Sequence, residues 1–160
     1  MMRSKKIYTE TQALQKMQRF CIFQERSQEE VRRKLYELGF SGLAAENIIV
    51  ALINDKFINE ERFVKAYISG KFNILHWGKL KIRQGLKKHQ IPEKMISKLL
   101  NSEIDADDYE STIVKELQKL YQQSELNMKT KFQLIQKLYQ KGFEPEQTEI
   151  IIYKIFNLKS

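Results

Sequence analysis

The sequence has little of several features that would point to particular classes of protein. Its 160 residues include a single cysteine, so no intramolecular disulfide can form. Two prolines and six glycines exclude a collagen-like or low-complexity chain. No run of about 18 apolar residues exists to span a membrane, and the basic start lacks the apolar core of a secretory signal. Since 42% of the residues are hydrophobic, we expect a folded, soluble, cytoplasmic protein.

Signatures of catalysis and of metal binding are also missing. The two histidines and the cysteine lie far apart, and no glycines form a phosphate-binding loop. Cys21 is most simply a small core residue, and His89 a packed one. The cluster Asp105, Asp107 and Asp108 lacks the glycine and the distal glutamate of a calcium loop, so we interpret it as acids that start a helix. We expect no enzyme, no catalytic residues, no cofactor and no metal site.

What the sequence does have is a surplus of positive charge, which is unevenly distributed. Lysine and arginine number 28 against 20 acidic residues, a formal charge of +8. The surplus is +3 in residues 1–58, +5 in residues 59–106 and zero in residues 107–160. We therefore expect an anionic partner to contact the first two thirds of the chain.

Apolar positions recur along the chain at a period of about 51 residues. Within each repeat these positions follow the i, i+3, i+4, i+7 spacing of α-helices, and the simplest interpretation is three helices per repeat. The pattern predicts an all-α fold of three repeats, 1–58, 59–106 and 107–160, stacked into an elongated array. The matching positions in the middle helix of each repeat are Val31, Ile82 and Leu134; Leu35, Leu86 and Leu138; and Phe40, Ile91 and Phe143.

Capping residues predict where the middle helices begin. Ser27 with Glu30 has the spacing of a capping box, and Thr130 with Gln133 has it again in the third repeat. Gly78 takes the corresponding place in the second repeat, where glycine is an acceptable N-cap.

Other residues predict helix ends and connectors. Gly39 and Gly142 stand where a left-handed residue commonly ends a helix. Segments 101–108 and 122–129 show no regular spacing of apolar residues, and we interpret both as connectors.

Basic residues on the middle helices of the first two repeats form the strongest functional signal. Residues 76–91 contain no acid, and three of their cations recur every four residues along one helical stripe. Stacked repeats would present a continuous positive surface, although a solvated lysine face would give the same pattern. Trp77 and Tyr36 would stack with bases there, or Trp77 would pack between repeats. The candidate residues are Arg32, Arg33, Lys34, Lys79, Lys81, Arg83, Lys87 and Lys88.

A set of residues across the first two repeats matches the pattern of a known family. These residues are Arg26-Ser27, Glu30, Val31, Lys34-Leu35, Gly39-Phe40, Phe57 to Phe63, Ala66-Tyr67, Gly78, Lys81-Ile82, Leu86, Gln90-Ile91 and Ile96. On these residues the chain resembles the RecX family of bacterial regulators of the RecA recombinase. The resemblance covers most of residues 13–120, and it extends to the third repeat mainly through the repeat pattern. Gln90 differs from the family, which usually has a helix-breaking glycine there.

This resemblance implies repeats similar to helix-turn-helix modules and a function in DNA repair, recombination and the SOS response. Members bind in the groove of the RecA filament on single-stranded DNA and inhibit its recombinase and coprotease activities. The implied partners are RecA and, as an auxiliary contact, single-stranded DNA, and a monomer suits this mode of binding. The alternative is a stand-alone nucleic-acid binder with a helix-turn-helix-like module.

Overall fold

The computed structural model describes residues 6–159, and most of this part of the chain is α-helical. The all-α prediction is confirmed. Its helices are α1 (Glu10–Phe23), α2 (Gln28–Glu37), α3 (Gly42–Asn54), α4 (Glu60–Ser69), α5 (Lys79–Lys88), α6 (Glu93–Glu103), α7 (Ala106–Leu120), α8 (Met128–Gln140) and α9 (Pro145–Ile155). A π-helical segment, Gly70–Ile74, follows α4, and two short strands are β1 (Glu125–Asn127) and β2 (Asn157–Lys159).

The chain divides into two compact units. Unit 1 comprises Met1–Ala66 with His89–Ile91, and unit 2 comprises Tyr67–Lys88 with Pro92–Ser160. Within residues 6–159 three α-helices fall in each of the proposed repeats 1–58, 59–106 and 107–160, except that α7 begins one residue before the third repeat; the boundaries stay a prediction.

In unit 1, α1, α2 and α3 pack against one another around an apolar core. Met17, Leu35 and Leu52 bury their side chains in this core, and Cys21 joins them, as the sequence indicated. Burial raises the pKa of the Cys21 thiol to about 11, so the thiol stays protonated. The predicted capping box is confirmed: the Glu30 amide donates to Ser27 Oγ at 3.1 Å, and the Ser27 amide donates to Glu30 Oε2 at 2.8 Å.

In unit 2, α5 packs against α6, and α7, α8 and α9 pack against one another. The ring of Tyr109 on α7 lies between two phenylalanine rings, with centroids 5.9 Å from Phe72 and 5.5 Å from Phe143. Phe143 has no exposed surface, consistent with its place in the apolar pattern.

The N-terminal part of the third repeat differs from the prediction. Helix α8 begins at Met128, and its N-cap is Asn127, whose side chain accepts a hydrogen bond from the Thr130 amide at 2.9 Å. The predicted cap at Thr130 is therefore wrong. Segment 122–129 is more than a connector because β1 lies in it and pairs in parallel with β2, with Leu126 opposite Leu158.

The other predicted connector is much shorter than expected. Helices α6 and α7 leave only residues 104 and 105 between them. Asp105 is the N-cap of α7 and accepts hydrogen bonds from the amides of Asp107 and Asp108 at 2.9 and 3.1 Å. The interpretation of this acidic cluster as helix-start residues is confirmed.

Left-handed residues follow all three middle helices. Gly39 and Gly142 have φ of 96° and 97°, as predicted for helix-ending glycines. Gln90, at φ 61°, adopts the left-handed region without being a glycine, so the chain makes the same turn with a different residue.

Candidate functional site

The three candidate cations of unit 1 lie on α2 beside acidic residues. Arg32 Nε lies 2.6 Å from Glu46 Oε1, and Arg32 Nη1 lies 2.9 Å from Glu29 Oε2. The hydrogen bond from Arg32 lowers the pKa of the Glu46 carboxyl, so the pair is charged at neutral pH. Arg32 is thus bound to two carboxylates of its own unit.

Arg33 and Lys34 have acidic neighbours as well. Arg33 Nε lies 3.8 Å from Glu29 Oε1, and Lys34 Nζ lies 3.1 Å from Glu37 Oε2. Each cation of this triplet has a carboxylate within ion-pair distance, so its positive charge is largely compensated locally.

In unit 2, Lys79 belongs to the packing around Tyr109. Its ammonium lies 4.7 Å from the centroid of the Tyr109 ring, and its backbone amide donates to Tyr109 Oη at 3.1 Å. Tyr109 is 3% exposed and donates its own hydroxyl to Glu144. Burial and the hydrogen bond to Glu144 raise the pKa of the Tyr109 phenol. This phenol therefore stays neutral, and it positions the start of α5 by accepting the hydrogen bond from the Lys79 amide while it donates to Glu144.

Arg83 and Lys87 share one carboxylate at the start of α6. Arg83 Nη1 contacts Glu93 Oε1 and lies 3.0 Å from Ser97 Oγ. Lys87 Nζ lies 3.3 Å from Glu93 Oε2. One negative charge thus faces two positive charges, and the local sum remains positive.

Lys81 lies in a cluster of cations and aromatic rings. Its ammonium is 4.3 Å from the centroid of the Trp77 ring, and that of Lys71 is 4.7 Å from the same ring. Lys71 also lies 5.2 Å from the Tyr67 ring. Trp77 is half-buried between these lysines. Lys88 is exposed and has no ion-pair partner within residues 6–159.

Three of the candidate cations line one surface groove, which we call the basic groove. It has a volume of about 430 Å³ and lies where α5 meets the C-terminal end of α8. The sequence did not indicate the contribution of α8, because Tyr139 lies more than 50 positions from the cations in the chain. Its main lining residues are Lys81, Arg83, Gln84, Lys87, Tyr139 and Gln140.

A backbone joint holds α5 beside the turn between α8 and α9. The Gly78 amide donates to the Lys141 carbonyl at 2.8 Å, and the Leu80 amide donates to the Gly142 carbonyl at 2.9 Å. A Cβ atom on Gly78 would overlap the Gly142 backbone. Glycine is required here for close approach, which is a stronger constraint than the capping function that the sequence predicted for it.

The basic groove offers ammonium, guanidinium, amide and phenol groups, which are donors suited to phosphate or carboxylate oxygens. Over the described residues, no three His, Cys, Asp or Glu side chains lie together as a metal site would require. None of the helices in residues 6–159 has the length and apolar character needed to cross a membrane.

Comparison with known proteins supports one family. The model of the second three-helix domain of RecX matches residues 59–100, which contain α4, α5 and most of α6. Among curated relatives, "Regulatory protein RecX" of Streptococcus agalactiae serotype III (strain NEM316) is 28% identical over 139 residues, covering 85% of this chain and 52% of the relative. The same-named protein of Clostridium perfringens (strain 13 / Type A) is 27% identical over 136 residues, covering 82% and 63%. The chain thus spans about half the length of the Streptococcus relative.

Solved structures share the fold. The crystal structure of RecX from Lactobacillus salivarius superimposes with a TM-score of 0.77 at 21% identity, over 91% of this chain and 96% of that one. A second crystal structure, of regulatory protein RecX, gives 0.74 at 22% identity, over 89% and 70%. The matched domain and the curated relatives thus show similarity to RecX proteins, and the solved structures show that the fold is shared.

Proposed function

We propose that this protein binds the RecA filament on single-stranded DNA and inhibits the recombinase and coprotease activities of RecA. Similarity to proteins named regulatory protein RecX supports a regulatory function. The link to RecA comes from the family resemblance of the sequence. Contact with DNA is auxiliary in this proposal, and the protein is a non-enzymatic, cytoplasmic monomer.

The observation that carries the proposal is the basic groove. Lys81, Arg83 and Lys87 lie within the segment matched by the family model and face Tyr139 across the groove. A nucleoprotein filament presents DNA phosphates together with acidic protein surface, and a positive groove attracts both.

The chemistry of the groove favours contact with a backbone or an acidic surface over the reading of base sequence. Arginine is the usual bidentate reader of guanine, but the guanidinium of Arg83 is already engaged by Glu93 and Ser97. Lys81 and Lys87 are point charges that position a protein on phosphates and carry little sequence information. This argues against a sequence-specific duplex site.

A second candidate function is a stand-alone nucleic-acid binder. The cluster of Tyr67, Lys71, Trp77 and Lys81 favours it, because aromatic rings interleaved with cations are typical of sites for single-stranded nucleic acid. Binding of this kind would not require RecA.

Charge reversal in the basic groove tests the proposal. The double variant Lys81→Glu with Lys87→Glu keeps Lys79 and Arg83, which pack or pair inside unit 2. We expect it to need at least about tenfold more protein to inhibit the ATPase of RecA filaments, since reversing charge weakens electrostatic association. Equal inhibition by wild type and variant would remove the groove from the proposal.

The matched control is Lys94→Glu with Lys98→Glu, which makes the same change in net charge. Both lysines lie exposed on α6, and within the described chain neither forms an ion pair. This control should inhibit like wild type. Glu93→Gln gives the opposite test: it releases Arg83 and Lys87, so inhibition should strengthen and depend more steeply on salt.

A further inference from the structure

Unit 1 contains a second groove, between α1 and α2, which we call the α1–α2 groove. Its volume is about 360 Å³, and Met17, Phe20, Phe23 and Leu38 form its apolar lining. Met17 is 1% exposed and belongs to the core, whereas Phe23 is 83% exposed at the edge. A large exposed ring beside a concave apolar surface is typical of an interaction site.

Four cations surround this apolar lining, and two of them have no carboxylate partner in the described part of the chain. Lys16 and Arg19 on α1 form no ion pair within residues 6–159, and the Lys16 ammonium lies 5.1 Å from the centroid of the Tyr8 ring. On the opposite side, Lys34 lies 3.1 Å from Glu37. The fourth cation is Arg26, 3.9 Å from Glu30. The rim therefore remains positive after its own ion pairs are formed.

Arg26 is fixed in place by Phe20. Its guanidinium carbon lies 3.8 Å from the centroid of the Phe20 ring, and its Nε donates to the Phe20 carbonyl at 3.1 Å. This stacking covers one face of the ring, so that face is closed to a nucleic-acid base. The groove therefore has a concave apolar floor with a fixed positive charge at its edge. An open aromatic surface, on which nucleic-acid bases stack, would look different.

We propose that the α1–α2 groove docks an acidic amphipathic helix of a partner protein. A large apolar side chain of that helix enters the groove against Met17, whose thioether adapts readily to different shapes. Carboxylates one turn before and after it reach Lys16 and Arg19 on one side and Arg26 and Lys34 on the other. The charge complementarity of the rim selects an acidic partner, and the concave floor selects an apolar anchor. This assignment uses residues of unit 1 only and does not depend on the proposed function.

Fluorescence anisotropy with a designed peptide tests this assignment. The probe is a fluorescein-labelled helical peptide with leucine and phenylalanine at positions i and i+4 and glutamates on both flanks of that stripe. The full chain should bind this peptide. The double variant Lys16→Glu with Arg19→Glu should weaken binding at least about tenfold, because the charges facing the peptide reverse. The control Lys94→Glu with Lys98→Glu should bind like wild type.

Further measurements distinguish binding through an apolar anchor from binding through attraction between charges alone. Phe23→Ala should weaken binding while leaving the melting temperature near that of wild type, because the ring is exposed in the free protein. Replacing the glutamates of the peptide by glutamine should abolish binding. The assignment is overturned if the wild-type chain does not bind the peptide or if the double variant binds it equally well. Displacement of the peptide by single-stranded oligothymidylate would also overturn it, by assigning the groove to nucleic acid.

Discussion

Gly78 and Gly142 bring two backbone segments so close that neither position has room for a side chain. A Cβ on Gly78 would overlap the Gly142 backbone, and one on Gly142 would overlap Lys81. The sequence identified both glycines through helix capping, which uses neighbours along the chain. The two glycines lie more than 60 positions apart in the sequence, and a pattern of neighbouring residues cannot predict a contact over such a separation.

The substitution Gly78→Ala should destabilise the protein by about 1 to 3 kcal/mol, because the added methyl forces the two segments apart. Thermal unfolding followed by circular dichroism measures the effect. Gly70→Ala is the control, since a Cβ at Gly70 has no atom within 4 Å, and this variant should not lose stability. Equal melting temperatures for wild type and Gly78→Ala would show that the joint is not closely packed.

Gln90 differs from the glycines at the equivalent place in the other two repeats, while its backbone conformation resembles theirs. It has φ of 61°, close to the left-handed conformation of Gly39 and Gly142 at the same place in the other repeats. For a residue with a Cβ this conformation costs about 1 to 2 kcal/mol. The sequence predicted helix-ending turns only at the two glycines, because glutamine does not favour this conformation, and the structure shows the same turn at Gln90.

At the scale of elements, apolar periodicity predicted the helices well because most of them bury one face. Leu35, Leu86 and Leu138 occupy the same place in three middle helices, and each has no exposed surface. The two strands were not predicted. Each has three residues, too few for an alternating pattern, and β1 pairs with a segment some 30 positions away.

Truncating the matching leucines tests the repeat register. Leu35→Ala and Leu86→Ala should each cost about 2 to 5 kcal/mol through lost burial and the cavity that remains. Urea unfolding gives the free energy directly. Leu43→Ala on α3 is the control, because Leu43 is 77% exposed and its loss should change stability little. A free energy of unfolding equal to that of wild type for Leu35→Ala or Leu86→Ala would contradict the repeat register.

Glu116 connects α7 to the end of α8 and makes stability depend on pH. Its carboxylate binds Lys141 and lies 3.0 Å from Lys119, while only 5% of the side chain is exposed. Burial alone would raise the pKa of Glu116, but the hydrogen bonds from Lys141 and Lys119 outweigh it, and the net shift is downward. The folded state therefore holds the charged form more strongly than the unfolded state does.

From this shift we predict the effect of Glu116→Gln. A lowered pKa in the folded state adds stability above the usual value of 4.5, and that stability disappears as the pH falls through the folded value. The variant should be less stable than wild type at neutral pH, and the difference should shrink below pH 4.5. Urea unfolding of both proteins across this range measures the difference. A difference that grows toward acid pH would contradict the assigned ion pair.

At the scale of the whole molecule, the sequence showed where the positive charge lies, but it did not show which acidic residues pair with it. Arg32 pairs with Glu46 and Arg83 with Glu93, and both acids lie on the helix that follows in the chain. Ion pairs between helices depend on how the helices pack. The spacing of cations along one helix does not reveal that packing. Tyr139 reaches the basic groove for the same reason.

We propose that the chain regulates RecA through the basic groove. The most direct measurement is the ATPase rate of cognate RecA filaments on single-stranded DNA while the protein is titrated in at two salt concentrations. We predict inhibition well below one protein per RecA, and weaker inhibition at the higher salt concentration because screening weakens the charges of the groove. An unchanged ATPase rate, together with binding of single-stranded DNA by the protein alone, would contradict the claim and favour the nucleic-acid binder.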